Sequence, residues 1–277
     1  MAVEADLRVH DAMASMPAGS MSTLRCGAIE VDLAAEAGGR IAQIRVGGIE
    51  QLIGPEDGWP AMIAWGCYPM VPWAGRIRDG RFVFEGREYQ LSRNLGEHAI
   101  HGVGFAMPWR IDHLGDASAR LSLALPEDAA WPFGGSARQH IEIGENEVRL
   151  SLSVQAGARA MPADIGWHPW FRKPERLEFA PSRMYPRDAD GIAVLPPGPP
   201  SPGPWDDCFL SDGEIVLHRD GRALRLSSGC KHWVVYEGTA HATCVEPQTG
   251  PPDAFNLAQR VLQPGEVLDV SLTLAFD

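Results

Sequence analysis

Apolar and polar residues alternate with a period of two in several stretches, the pattern of a strand with one buried face. In EVRLSLSV, the residues Val148, Leu150, Leu152 and Val154 share one face, and Arg149, Ser151 and Ser153 share the other. Near the end of the chain Leu268, Val270, Leu272, Leu274 and Phe276 alternate in the same way around Asp269, Ser271 and Thr273. Turn residues separate paired runs of this kind. IEIGENEVRL predicts a hairpin turning at Gly144 to Asn146, EIVLHRDGRALRLSS one turning at Asp220-Gly221, and RFVFEGREYQL one near Glu85-Gly86. No stretch sustains the 3.6-residue period of a helix beyond a turn or two, and 30 glycines and 23 prolines would interrupt long helices. The pattern predicts an all-β protein of short antiparallel strands, arranged as a large sandwich or a barrel.

A chain of 277 residues is long for one domain, although all-β folds reach that size undivided. The proline-rich stretch AVLPPGPPSPGPWDDCF cannot be a central strand, because proline lacks the ladder donor. Strand patterns flank it and neither half looks complete alone, so it reads as a stiff loop within a single domain spanning residues 21–277. Residues 1–20 carry early acids and no apolar run of signal-peptide length, and read as a polar, mobile lead-in.

Charge and cysteines narrow the partners. A formal net charge of -12 argues against nucleic acid or an anionic membrane surface, both of which attract basic proteins. No run approaches the ~20 apolar residues of a membrane helix. The five cysteines are scattered and include no C-x-x-C pair, which fits reduced thiols in a cytoplasmic protein.

The candidates for chemistry are few. DIGWHPWF sets His168 among Trp167, Pro169, Trp170 and Phe171, which would hold the ring in one orientation and control its pKa, as a general acid or base requires; a core histidine with one hydrogen bond is the alternative. PWAGRIRDG places Arg76 in a loop bounded by proline and glycine, where its fork of donors can enter a cleft or lie on the surface. GEHAIHG holds His98 and His101, which on a strand would face opposite sides, so a shared metal is not expected. In WDDCF, Asp206 or Asp207 can cap a turn or accept hydrogen bonds from substrate hydroxyls. In TCVEPQTGPPDAFN, Glu246 stands where a strand opens into a rigid loop; partial desolvation there would raise its basicity, and a structural salt bridge is the alternative. There is no closely spaced H-x-H metal motif, no glycine-rich phosphate loop and no G-x-S-x-G turn. Polar side chains beside flat aromatic faces suit a sugar, whose hydroxyls take hydrogen bonds while its C–H faces stack on rings.

Taken in order, GRIRDGRFVFEGREYQLSRNLGEHAIHG, HPWF, DDCF and VEPQTGPPDAFN resemble the aldose 1-epimerase (galactose mutarotase) family from about Leu24 to the C-terminus. The resemblance implies a large two-sheet antiparallel β-sandwich. It implies His168 as general acid, Glu246 as general base, and Arg76 and His101 as residues holding the sugar's oxygens. The family's D-x-x-F spacing selects Asp206 over Asp207. The implied reaction interconverts the α and β anomers of a free monosaccharide and needs no cofactor or metal. Two departures bear on which sugar is used: Gly75 replaces a common asparagine, and Arg172-Lys173 replace the usual Asn-Leu after H-P-x-F. Facing the site, that basic pair would suit a phosphorylated or sulfonated sugar; facing solvent, it would leave specificity untouched. The rival readings are a glycosidase using Glu246 and Asp206 as its two carboxylates, and a sugar-binding or regulatory protein that retains the pocket without turnover.

Overall fold

Strands that bury every second residue need a second layer to cover the buried face. The computed structural model, which describes residues 11–277, meets that need with two large antiparallel sheets. The eight-stranded sheet runs in the order Arg110–Leu114, Ser118–Ala124, Ser136–Ile143, Glu147–Gln155, Val267–Phe276, Arg222–Ser228, Ile215–Arg219 and Arg176–Glu178. The two most regular alternating stretches are direct neighbours in it, with Leu150 opposite Leu272 and Val148 opposite Leu274. All three expected hairpins form, joining Ser136–Ile143 to Glu147–Gln155, Ile215–Arg219 to Arg222–Ser228, and Arg81–Phe84 to Arg87–Gln90.

The ten-stranded sheet carries His168, Asp206 and Glu246 and includes the strands β1 (Cys67–Met70), β2 (Gly166–Arg172), β3 (Asp206–Leu210), β4 (His232–Tyr236) and β5 (Ala242–Gln248), while Arg76 and His101 lie at a separate two-stranded pairing. The order of these five strands across the sheet is β1-β2-β5-β4-β3. Both faces of β2 and β5 are buried, so their sequences read as near-continuous apolar runs rather than as alternation. One face belongs to the core between the sheets: Trp167, Phe171, Trp233 and Val245 pack there with Leu150 and Leu272 of the other sheet. Trp167 also donates its indole N–H to Gln139 across the sandwich at 3.0 Å. The other face holds a second apolar cluster that includes Tyr68, Met70, Trp170 and Cys244. Successive residues alternate between these faces, so His168, between Trp167 and Pro169, and Glu246, between Val245 and Pro247, both point to the second one.

The region from Leu195 to Trp205 is a loop containing no strand, tied at Gly198 to Met184 by a pair of backbone hydrogen bonds. The lead-in expected over residues 1–20 divides in two. Residues 1–10 lie outside the described residues. Residues 11–16 are not a free lead-in, because their backbone groups pair with the body: Ala12 N–H donates to Asn94 O (2.8 Å), Met62 N–H to Ala14 O (2.8 Å), and Met16 N–H to Pro60 O (2.9 Å). Ala12 is fully buried there. Its small side chain and these paired backbone groups hold the segment, and neither registers as a hydrophobic pattern.

Candidate active site

The site is assembled by strand register. Gly166 pairs with Gln248 and Trp170 with Cys244, which places His168 directly opposite Glu246. Pro169 and Pro247 lack N–H groups, and no ladder pairing is formed between those two points. A Cβ on Gly166 would meet the carbonyl oxygen of Pro247 at 2.2 Å, so only glycine permits this approach of the strands. His168 Nε2 lies 3.2 Å from Glu246 Oε1. The imidazole is stacked between Tyr68 (ring centroids 4.8 Å apart) and Trp170 (5.4 Å), with the His101 ring edge-on at 5.0 Å. Of the aromatic neighbours in the sequence only Trp170 clamps the histidine; Trp167 and Phe171 turn to the core between the sheets, and the second clamping ring, Tyr68, comes from β1.

Burial governs the electrostatics. His168 is pulled down to about 3, chiefly by desolvation, with Arg40 adding to the effect and its own backbone carbonyl opposing it. Glu246 is pushed well above the usual carboxylate range, first by burial and then by Asp206; the side-chain N–H of Gln248 (3.1 Å) and the charge of Arg76 act the other way. His101 is held well below its ordinary value by burial, His168 and Arg76. In the resting site these directions favour an uncharged imidazole beside a protonated carboxyl, so that the pair, 3.2 Å apart, holds one proton.

A cleft of about 280 Å³ opens over this pair and is lined by all five residues singled out from the sequence: Arg76, His101, His168, Asp206 and Glu246. Arg76 sits on a short strand paired with Ile100, beside Gly75, whose φ of +66° and 3.0 Å approach to Pro252 would strain a larger residue. His101 adopts φ +60°, unusual for a side chain other than glycine, and donates its backbone N–H to Gly75 O at 3.0 Å. Asp164 braces this corner from below. Its backbone N–H bonds Pro72 O (2.9 Å), and its buried carboxyl takes the Thr249 hydroxyl.

Three further lining residues were missed. Arg187 reaches from the loop before Ile192 to hold Asp206 at 2.7 Å and Asp207 at 3.0 Å, so both aspartates of WDDCF share one cation. No local pattern marks Arg187. Gln248 lies two residues beyond Glu246 on the same strand, and Tyr236 lies opposite Cys244; the period of two could have found Gln248 once Glu246 was placed.

Other candidates fall elsewhere. His98 Nδ1 accepts the backbone N–H of Asp79 (3.1 Å), and the residue does not line the cleft. Arg172 pairs with Glu50 and with Asp57 (2.9 Å), and Lys173 points at Glu237 O (3.4 Å); neither lines the cleft. His168, Cys244 and Glu246 offer nitrogen, sulfur and oxygen donors within 4.8 Å of one another. A metal there would need the Cys244 thiolate, and burial beside Glu246 drives that thiol well above its ordinary value. No described helix is long and apolar enough to cross a membrane.

The family profile of aldose 1-epimerase matches residues 23–275. The uncharacterized protein YphB of Escherichia coli (strain K12) is 36% identical over 109 residues, 38% of this chain and 36% of that protein's length. Galactose 1-epimerase from Lactobacillus acidophilus NCFM superposes with a TM-score of 0.79 at 18% identity, covering 93% of this chain and 94% of that one. A galactose mutarotase-like protein from Clostridium acetobutylicum gives a TM-score of 0.80 at 15% identity, covering 92% and 94%. At these identities the two structures speak to the fold, and the two-sheet sandwich is the fold they share with this chain.

Proposed function

The chain belongs to the aldose 1-epimerase family, and from that premise we propose that it interconverts the α and β anomers of a free aldose by acid-base ring opening and reclosure. The observation that carries the reading is the buried His168–Glu246 pair, 3.2 Å apart at the floor of the cleft. Ring opening needs a base to take the proton of the anomeric hydroxyl and an acid to protonate the ring oxygen as the C1–O bond breaks. The ionised arrangement, carboxylate with imidazolium, holds the same single proton as the neutral one. Burial favours the neutral arrangement in the empty site. Hydroxyl groups of a bound sugar, together with Arg76, favour the carboxylate, so substrate binding moves the proton to His168. Glu246 then removes the hydroxyl proton while His168 donates to the ring oxygen. Rotation about C1–C2 presents the other carbonyl face, and reclosure reverses the two roles. Proton transfer alone completes this cycle, so the reading invokes no cofactor and no metal.

In this reading Arg76 and His101 bind and orient the sugar's oxygens, and Asp206, fixed by Arg187, accepts from its hydroxyls. The histidine separates this function from a two-carboxylate glycosidase, which gives His168 no task. The test is anomer exchange followed by NMR on a panel of neutral, phosphorylated and sulfonated aldoses, comparing wild type with His168→Ala and Glu246→Ala. Acceleration lost in both variants supports a mutarotase. Release of reducing sugar from a glycoside, or tight sugar binding with unaltered exchange, would replace it with one of the rival readings.

A further inference from the structure

The family match begins at residue 23, yet Met13, in front of it, lines the cleft. We propose that residues 11–16 form a strap that closes the apolar side of the substrate cleft, and that Met13 on it is a specificity-determining residue selecting aldoses that present an uncharged, weakly polar group there. The inference rests on the cleft being the sugar site proposed above.

The strap joins two separate pocket loops. On one side Ala12 N–H donates to Asn94 O, and Asn94 in turn is bonded through its side chain to both backbone groups of Ile100 (2.7 and 3.1 Å). On the other side Ile63 N–H donates to Ala12 O (3.0 Å), and Ser15 pairs with Ala61. Below it, the sulfur of Met16 lies 3.2 Å from a nitrogen of Arg40, a fully buried side chain whose other bonds go to the carbonyls of Ala37, Met62, Trp65 and Phe105. The backbone at Met13 is set by a turn: Ala14 N–H bonds Asp11 O and Met13 N–H bonds the Asp11 carboxylate, both at 2.9 Å. Each of these contacts fixes position without needing Met13's side chain, which stays 59% exposed and lines the cleft with Leu95 from one loop and Ile63 and Ala64 from the other.

The lining is chemically mixed. Arg76, Arg187, Asp206 and Gln248 provide charges and hydrogen bonds, whereas Met13 and, from the loops its strap is tied to, Ile63, Ala64 and Leu95 offer a thioether, methyls and methylenes. A phosphate, sulfonate or carboxylate lying against the strap side would lose hydration without gaining a partner, and a C–H-rich or deoxy group there would lose nothing. Arg172 and Lys173, the basic residues that would have suited an anion, are turned to other partners outside the cleft.

The experiment measures anomer exchange by NMR on neutral hexoses, their 6-deoxy counterparts, and the matching uronic acids and 6-phosphates, for wild type and Met13→Ala, Met13→Lys and Met13→Leu, with thermal melting as a check on folding. Wild type should prefer neutral and deoxy sugars over charged ones. Met13→Ala should raise KM for the preferred sugars about 3- to 10-fold with a smaller change in kcat, because a side chain left 59% exposed realises only part of the roughly tenfold or more that a methylene is worth in a closed hydrophobic pocket. Met13→Leu should retain wild-type KM, and Met13→Lys should shift preference towards the anionic sugars. Unchanged KM and preference in both the Ala and Lys variants would overturn the strap's role while leaving the mutarotase reading intact. If wild type accelerates no sugar, that reading fails first. The same variants are then compared by sugar titration of tryptophan fluorescence, where a Kd indifferent to Met13, or the absence of any binding, overturns the strap as well.

Discussion

His168 and Glu246 face each other from adjacent antiparallel strands, Nε2 to Oε1 3.2 Å, in the register that leaves both on the cleft side of the sheet. Among the described residues neither group has another charged partner at this distance, so the two form one buried unit. If that unit performs the proton transfers, removing either member removes a positioned acid-base catalyst, worth ~10²–10⁴ in rate. His168→Ala and Glu246→Ala should each lose about that factor in kcat. The double variant should be little worse than either single one, because a unit is broken once. Polarimetric or NMR anomer exchange checks it, and fully additive losses would argue against coupled roles.

If it performs those transfers, the same pair also sets the pH profile, because the proposed cycle needs one proton on the unit. A second proton is resisted down to about 3, the value to which burial lowers His168, and loss of the first is delayed because burial and Asp206 raise Glu246. The rate should therefore show a broad plateau through neutrality, with an acid limb well below the ordinary histidine value and an alkaline limb well above the ordinary carboxylate value. An acid limb near pH ~6.5, as for a free histidine, would contradict the shared-proton arrangement.

Arg187 screens Asp206 and Asp207 from Glu246. Arg187→Ala should leave Asp206 unneutralised beside the cleft and raise Glu246 further. The alkaline limb should move upward and KM should rise, since the acceptor loses its fixed position. An unmoved alkaline limb would show that the cation does not act through Glu246.

Arg172 bonds Glu50 and Asp57 outside the cleft. Arg172→Ala should leave KM unchanged for neutral and anionic sugars alike, and should cost at most ~1 kcal/mol in urea unfolding, as partly exposed ion pairs do. A selective loss of anionic substrates would overturn its placement.

Asp164 is raised to about 7 by burial, against the opposing hydrogen bonds of Thr249, Gly250 and Ala74. A raised carboxyl stabilises the fold fully below its unfolded value of 3.8 and loses that contribution as pH rises through about 7. The stability advantage of wild type over Asp164→Asn should therefore be larger at pH ~5 than at pH ~8, by roughly 1.4 kcal/mol for each pKa unit expressed between them. Equal differences at both values, measured by urea unfolding, would mean that the carboxyl titrates normally.

Much of the fold was legible because alternation is a local property. Val148 to Val154 and Leu268 to Phe276 declare a strand with one buried face wherever the chain places them, and three hairpins followed from turn residues standing between such runs. Three of the residues chosen for chemistry stand in unusual local company, a histidine among aromatics, a glutamate before a proline and an arginine after a glycine, whereas His101 and Asp206 are picked out from their neighbours only by the family resemblance. The strand order that sets His168 opposite Glu246 was decided only in the tertiary structure, since β2 and β5 are separated by some seventy residues of chain and are buried on both faces, which erases the alternation that would mark a cleft side. The same holds for Arg187 beside the two aspartates, for Arg172 turned towards Glu50, and for residues 11–16 laid across the cleft. Ion pairs and backbone hydrogen bonds between distant segments depend on how the chain closes on itself, and no local pattern of hydrophobic and polar residues encodes that closure.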